Sequence, residues 1–490
     1  MTARDPHDHP THPIDEDTRS RLLAELAQIL PAESLRVDLE DTTPYECDGL
    51  TAYRQLPLAV ALPNDEAQVV AVLKACHRHR VPVVARGAGT GLSGGATPVV
   101  DGVVLSLAKF MRILAIDPAS RTARVQPGVR NLAISEAAAP FGLYYAPDPS
   151  SQIACTIGGN VAENSGGVHC LKYGLTVHNV LALRVALIDG EVIDIGSLAP
   201  DSPGYELLAF MIGSEGMLGV VLEATVKLTP KPQMAQVVMA SFDDVVKAGE
   251  AVAAIIGAGI IPAGLEMMDR PATAAVEDFV HAGYDLDAAA ILLAESDGTP
   301  AEVAEEIEAM QRVLGAAGAT RLAVSRDEAE RLRFWAGRKA AFPAVGRITP
   351  DYMCMDGTIP RKHLARVLIR IEELSQEYGL RCANVFHAGD GNLHPLIMFD
   401  AADPGQMQRA IAFGARILEL SVEVGGTITG EHGVGIEKVR QMCVQFSADE
   451  INAFHALKAA FDPLRLLNPG KAVPMPRHCS EYRLTGSARK

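Results

Sequence analysis

The chain lacks the marks of many functional classes. It has one tryptophan in 490 residues, and no two of its eight cysteines are spaced as Cys-x-x-Cys. Neither a zinc ribbon nor an iron–sulfur cluster is written into it. The cysteines, at positions 47, 76, 155, 170, 354, 382, 443 and 479, read as reduced, buried thiols of a cytoplasmic protein. No apolar run is long enough to span a bilayer; the longest, Ala251 to Leu265, carries glycines and Pro262. The opening stretch MTARDPHDHPTHPIDED lacks the apolar core of a secretion signal and the Arg/Ser bias of a transit peptide. It reads as a disordered tail, with metal binding by its three histidines as the lesser alternative. Basic residues are also short, 44 against 60 acidic for a net charge of −16. That excludes general affinity for nucleic acid but permits a locally positive pocket for a small anion.

What is present describes a globular protein: 48% hydrophobic and 21% charged residues, over a length suited to two to four domains. A first helix is expected at about Arg21–Leu30 with Ser20 as cap, and a second over Asp65–Arg80 behind Asn64. Short strands and glycine-rich loops alternate to Leu228, and Thr229-Pro-Lys-Pro marks a boundary. Beyond Met234, strands such as Ala288–Ala294 and Leu393–Phe399 alternate with long helices such as Pro300–Ala316. The expected class is α+β, with a helix-covered antiparallel sheet in the second half. The expected divisions are 1–54 (tail and helix), 55–232, 233–476 and a tail at 477–490.

Three glycine-rich loops carry the first chemical signal. Arg86 to Gly95 reads RGAGTGLSGG and contains Gly-x-Gly-x-x-Gly at Gly89, Gly91 and Gly94. No helix signal follows it, so a Rossmann site for a nicotinamide cofactor is disfavoured. The backbone N–H groups of such a loop can still cradle an anion. A second region combines Pro147-Asp-Pro-Ser-Ser with Thr156 to Gly167, and a third runs from Gly213 to Gly219. One long polar ligand lying across all three explains them together.

The second signal is His387-Ala-Gly-Asp-Gly-Asn-Leu-His394. Asp390-Gly391 is a strong two-residue hairpin turn, and pairing about it would set His387 opposite His394 on one face, ~5 Å apart at Cβ. Two imidazoles so placed can close on one divalent ion. Gly430-Glu431-His432-Gly433 offers a carboxylate as third ligand. Taken alone, the hairpin would also suit a metal hydrolase, which leaves the glycine loops unexplained.

The series RGAGTGLSGG, DPSS, TIGGNVAENSGG and GSEGMLGVV resembles the two-part flavin domain of the vanillyl-alcohol oxidase / p-cresol methylhydroxylase (PCMH) family. The resemblance implies FAD, held noncovalently because no histidine stands in the first loop. It implies cofactor contacts at Arg86, Gly87, Ala88, Gly89, Thr90, Gly91, Ser93 and Gly94, and at Pro127, Gly128, Asp148, Pro149 and Ser150. Further contacts would come from Thr156, Gly158, Gly159, Asn160, Ala162, Asn164 and Gly166, and from Gly213, Glu215, Gly216, Gly219, Val220 and Asn468. H-x-G-D-G-N-L-H followed by G-E-H-G-V-G resembles the FAD-linked D-2-hydroxy-acid dehydrogenases, among them D-lactate dehydrogenases. The run from Arg338 to Arg361 is most similar to their glycolate oxidase branch. This resemblance implies an ion, usually zinc with manganese or iron as alternatives, on His387, His394 and Glu431. It implies His432 as base, Arg338 as partner of the substrate carboxylate, and hydride transfer to flavin N5.

Polar residues that hold a long dicarboxylate in some members are replaced by Cys354 and Leu396, which favours a short acid such as glycolate or D-lactate. Implied partners are a second flavin-domain subunit and an iron–sulfur subunit, placing a cytoplasmic chain at the inner membrane through them. A stand-alone dehydrogenase and a noncatalytic flavin-binding accessory subunit are the alternatives.

Overall fold

The computed structural model describes residues 14–199, 204–475 and Cys479. The histidines of the opening tail lie outside them, as do all but Cys479 of the expected tail at 477–490.

The first helix, Glu16–Ile29, starts earlier than expected because Asp15, not Ser20, caps it by accepting the Thr18 N–H. In the same way Asp65, one residue past Asn64, accepts from Gln68 and starts helix Glu66–His79. Asp suits this role because its carboxylate satisfies a free helix N–H and meets the positive end of the dipole. These helices cover a four-stranded sheet ordered Leu35–Arg36, Ala59–Ala61, Val103–Ser106, Val83–Arg86. Its last three strands are parallel. A five-stranded antiparallel sheet follows, ordered Ile113–Asp117, Thr122–Val125, Val220–Lys227, Val180–Ala186, Val192–Gly196. The two sheets form the expected two-part first domain.

The second domain is a seven-stranded antiparallel sheet. Its order is Arg321–Val324, Met234–Phe242, Ala290–Gly298, Gly264–Asp269, Cys382–His387, Asn392–Phe399, Asp351–Cys354. One face, with Val238, Ala240, Met267, Phe386 and Leu393, packs under helices Val245–Gly257, Pro300–Ala316, Leu364–Tyr378 and Pro404–Glu423. The other, with Val237, Met239, Met268, Leu293, Val385 and Leu396, meets helices Arg270–Val280 and Glu328–Lys339. Side chains alternate along a strand. Glu266, Glu295, His387 and His394 therefore all project from the second face, the one shared with Val168 of the first domain.

One expectation is corrected. Cys443 and Cys479 form a disulfide, so the cysteines are not all free and the tail is tethered at 479; Cys47 and Cys382 are only partly buried. The second domain also does not keep its end to itself. Leu466 and Leu467 enter the apolar core beneath the four-stranded sheet, and Leu467 bridges in parallel to Val83. Lys458 donates to the Met217 carbonyl, and Lys471 to those of Gly95 and Thr97. Leu466 to Lys471 thus pack against the first domain, while Ala472 and Val473 pack on the core of the second.

Candidate active site

The histidine hairpin has a different register from the one expected. His387 pairs with Asn392 and Val385 with His394, so the loop is Ala388-Gly389-Asp390-Gly391. A Cβ on Gly391, at φ +83°, would overlap the Ile359 carbonyl, so the four-residue loop requires glycine there. A shift of two keeps every side chain on its face. His387 and His394 are therefore diagonal neighbours on one face, with ring centroids 4.9 Å apart.

Glu431 Oε1 reaches both imidazoles, 3.1 Å from His387 Nε2 and 3.3 Å from His394 Nε2. The other nitrogen of His387 is taken by Glu266, Nδ1 to Oε1 at 2.7 Å, and Glu266 Oε2 accepts from Arg338 Nε at 2.7 Å. The His432 ring stacks on His394 at 4.8 Å. The loop carrying Glu431 and His432 is anchored by Asp356, fully buried in the Met-Asp-Gly-Thr run. Its carboxylate accepts from the backbone N–H groups of Gly430, Glu431 and His432, and from Lys438 Nζ. Burial would raise the Asp356 pKa, but His432, Lys438 and His394 outweigh it and hold the carboxylate well below its usual range.

Burial would also raise Glu431, yet His387 and the other imidazoles bring it down to about 2. Burial lowers His387, but Glu266 and Glu431 reverse that and carry it well above an ordinary histidine. His432 is pushed the other way, to about 4, by burial first and then His394 and Lys438 against Asp356. A neutral imidazole thus sits beside an anionic carboxylate. His394 Nε2 faces Glu431 Oε1 at 3.3 Å and Asp356 Oδ1 at 3.5 Å, while its Nδ1 and His432 Nδ1 have no hydrogen-bond partner.

A single cavity of about 400 Å³ joins this cluster to the glycine loops. His394, Glu431, His432, Phe342, Tyr352 and Lys339 line one side. The other is lined by most of the expected loop residues: Arg86 to Gly91, Pro127, Pro149, Ser150, Thr156, Gly158 to Asn160, Ala162, Glu215, Gly216, Gly219 and Val220. Gly87 is required because a Cβ there would overlap Thr156 Oγ1, and these loops could not then approach.

The remaining expected contacts do not line the cavity; several build its walls. The Ser93 carbonyl accepts from Ile436 and Glu437, and a Cβ on Gly94 would strike Ile436. Gly128 fits against the carbonyls of Leu107 and Phe110, and Gly166 against Glu431. Asp148 pairs with His169 at 2.7 Å. Asn164 closes a short helix in the left-handed region and accepts from Val177, and Gly213 turns with φ +79°. Asn468 donates to the carbonyls of Gly95 and Glu215. Arg338 is sealed behind the cavity, 1% exposed, with Nη2 unpartnered. Cys354 and Leu396 face one another across neighbouring strands, both buried. Glu266 and Asp356 escaped the sequence reading. Asp356 had a signal in the Asp-Gly-Thr-Ile-Pro run that precedes a helix; Glu266 had none, being one acidic residue in an apolar strand.

A PCMH-like fold with one cavity between loop glycines and a histidine–carboxylate cluster defines a flavin-dependent oxidoreductase. The chain belongs to the FAD-linked oxidases: a family described as "FAD binding domain" matches residues 57–196, and "FAD linked oxidases, C-terminal domain" matches 231–472. It is 63% identical over 468 residues to the glycolate oxidase subunit GlcD of Escherichia coli strain K12, covering 96% of this chain and 94% of that one. It is 32% identical over 460 residues to a D-lactate dehydrogenase of Anaerostipes hadrus, covering 92% and 96%. Substrate-bound p-cresol methylhydroxylase shares the fold, with TM-score 0.81 at 18% identity over 94% of this chain and 98% of that one.

Proposed function

We propose that the chain oxidises a short 2-hydroxy acid, glycolate first and D-lactate second, to the 2-keto acid, and that it does so with a divalent ion on His387, His394 and Glu431. The observation that carries this reading is the shared cavity, in which the cluster and the glycine loops face the same space. The 63% identity to a glycolate oxidase subunit supports the choice of acid.

The donor set fits an ion. His394 is buried with Nε2 3.3 Å from Glu431 Oε1 and no well-formed hydrogen bond to it, the carboxylate is ionised, and Glu266 holds His387 Nδ1 so that its Nε2 faces Glu431. A carboxylate behind a ligating histidine is a common support of metal sites. Zinc fits this nitrogen and oxygen set, as do manganese and iron. When bound, the ion supplies a Lewis acid for the substrate hydroxyl, and FAD supplies the acceptor for two electrons.

The protein does the rest. His432, neutral by its burial, accepts the hydroxyl proton at Nε2, 3.9 Å from Glu431 Oε1. The C2 hydrogen and its electron pair would go to the acceptor that FAD supplies when the glycine loops hold it. Arg338, sealed behind the cavity, holds Glu266 through Nε and so positions His387. The buried setting excludes water from the charge shift.

Anaerobic addition of glycolate to the yellow protein bleaches the flavin band in this reading; persistence of the band with glycolate and D-lactate alike rejects it. Glu266→Gln is expected to weaken metal retention about 10–100-fold, read as metal content after dialysis. Electrons then pass to partner subunits, a second flavin-domain chain and an iron–sulfur chain, the relative being itself named a subunit. The D-lactate dehydrogenase match keeps a stand-alone enzyme as the second reading. No helix among the described residues is long and apolar enough to cross a membrane, so inner-membrane association would run through those partners.

A further inference from the structure

Charged side chains crowd the seam between the first glycine loop, the third, and the loop after His432. Nearly all are satisfied by the protein. Asp48 accepts from the N–H groups of Leu50 and Ala96. Glu215 accepts from Val434 and Gly435, each at 2.7 Å. Lys471 donates to Gly95 and Thr97, Lys438 to Asp356 and Gly433, and Arg86 to Cys47 and Ala96.

Glu163 and Glu437 are the exceptions, and of the two only Glu163 lines the cavity. It ends the short helix Ile157–Glu163. Its Oε2 is buried against Gly433 with no hydrogen-bond partner. Its Oε1 lies over the first loop, where a Cβ on Gly95 would sit 2.7 Å away and one on Gly91 3.9 Å away. A buried carboxyl oxygen left without a partner costs about 1–3 kcal/mol or more, and Oε1, over the first loop, is the oxygen placed to meet whatever fills the space. The space is the FAD cavity, and FAD is rich in acceptor oxygens on its phosphates, ribityl chain and ring. An ionised Glu163 would repel the phosphates; a protonated one can donate to any of these oxygens.

We propose that Glu163 is a cofactor contact, held as the neutral acid and donating a hydrogen bond from its carboxyl group to an acceptor oxygen of bound FAD. Burial, then Glu215 and Asp48, push its pKa well above the ordinary carboxylate value, against the weaker pull of Lys438 and Lys471. Because the same carboxyl group packs on Gly433, next to His432, a filled FAD site also braces the loop that carries the base.

The test uses full-length protein stripped of flavin and titrated with FAD, reading flavin fluorescence and the visible spectrum, with apoprotein melting as the control for folding. Glu163→Gln keeps a donor of the same shape and is expected to bind FAD within threefold of wild type. Glu163→Ala should bind at least tenfold more weakly, with an altered flavin spectrum and apoprotein melting unchanged. Wild-type affinity and spectrum in Glu163→Ala would overturn the contact. A Glu163→Gln as weak as Glu163→Ala would overturn the neutral donor, since it would mean that the anion is required. Should Glu163→Ala not fold, Glu163→Asp replaces it: an acid one methylene too short, expected to lose tenfold, with wild-type affinity again overturning the contact.

Discussion

Glu431→Gln should leave the purified protein yellow and nearly inactive. The substitution keeps the shape of the side chain and removes the charge that His387 and His394 both face. An ion on the three residues would lose its only anionic ligand among them. The Lewis-acid contribution is several kcal/mol, and at about 1.4 kcal/mol per tenfold the rate of flavin reduction should fall on the order of 10³-fold. FAD affinity should move only a few-fold, because Glu431→Gln keeps the side-chain shape that packs against Gly166 of the second loop. Prolonged chelation of wild-type protein should reproduce the phenotype, and added zinc or manganese should reverse it. Full activity of a metal-free sample, verified by elemental analysis, would remove the ion from the mechanism.

The second large effect is expected at His432. In His432→Asn the proposed proton acceptor is gone while the ring's neighbours, His394 and Asp356, keep their own supports. General-base catalysis contributes about 10²–10⁴-fold, so flavin reduction in a single turnover should slow by that factor. Substrate affinity, read as the concentration dependence of that slow phase, should move only a few-fold. A variant that reduces flavin at the wild-type rate but binds substrate weakly would make His432 a binding residue. Solvent-isotope effects on the same phase would then be expected to match wild type.

Much of this was legible in the residues, for reasons that differ from one element to the next. Period-two alternation survived even where the register did not: the hairpin was expected to turn in two residues and turns in four, yet a shift of two left both histidines facing the same way. The strand Gly264–Asp269 was not foreseen, because its apolar residues run on from those of the preceding helix. Burial on both sheet faces had also erased the alternation that marks a strand. Asp356 reads as an ordinary turn residue; only the fold brings three backbone N–H groups of residues 430–432 to it. Arg338 was expected at the substrate, and its position behind Glu266 depends on a tertiary contact between residues 72 apart in sequence. The disulfide was missed because Cys443 and Cys479 are 36 residues apart, with nothing in the spacing to single them out.

The return of Leu466 and Leu467 to the edge strand Val83–Arg86 has a bearing on how the molecule is made. During translation the amino-terminal half emerges hundreds of residues before the segment that seals its flank. Its outer strand must wait with unpaired backbone groups, a state prone to sticking to other chains. Stable capture of the flavin should therefore follow synthesis of Leu466 and Leu467, not accompany synthesis of the first half.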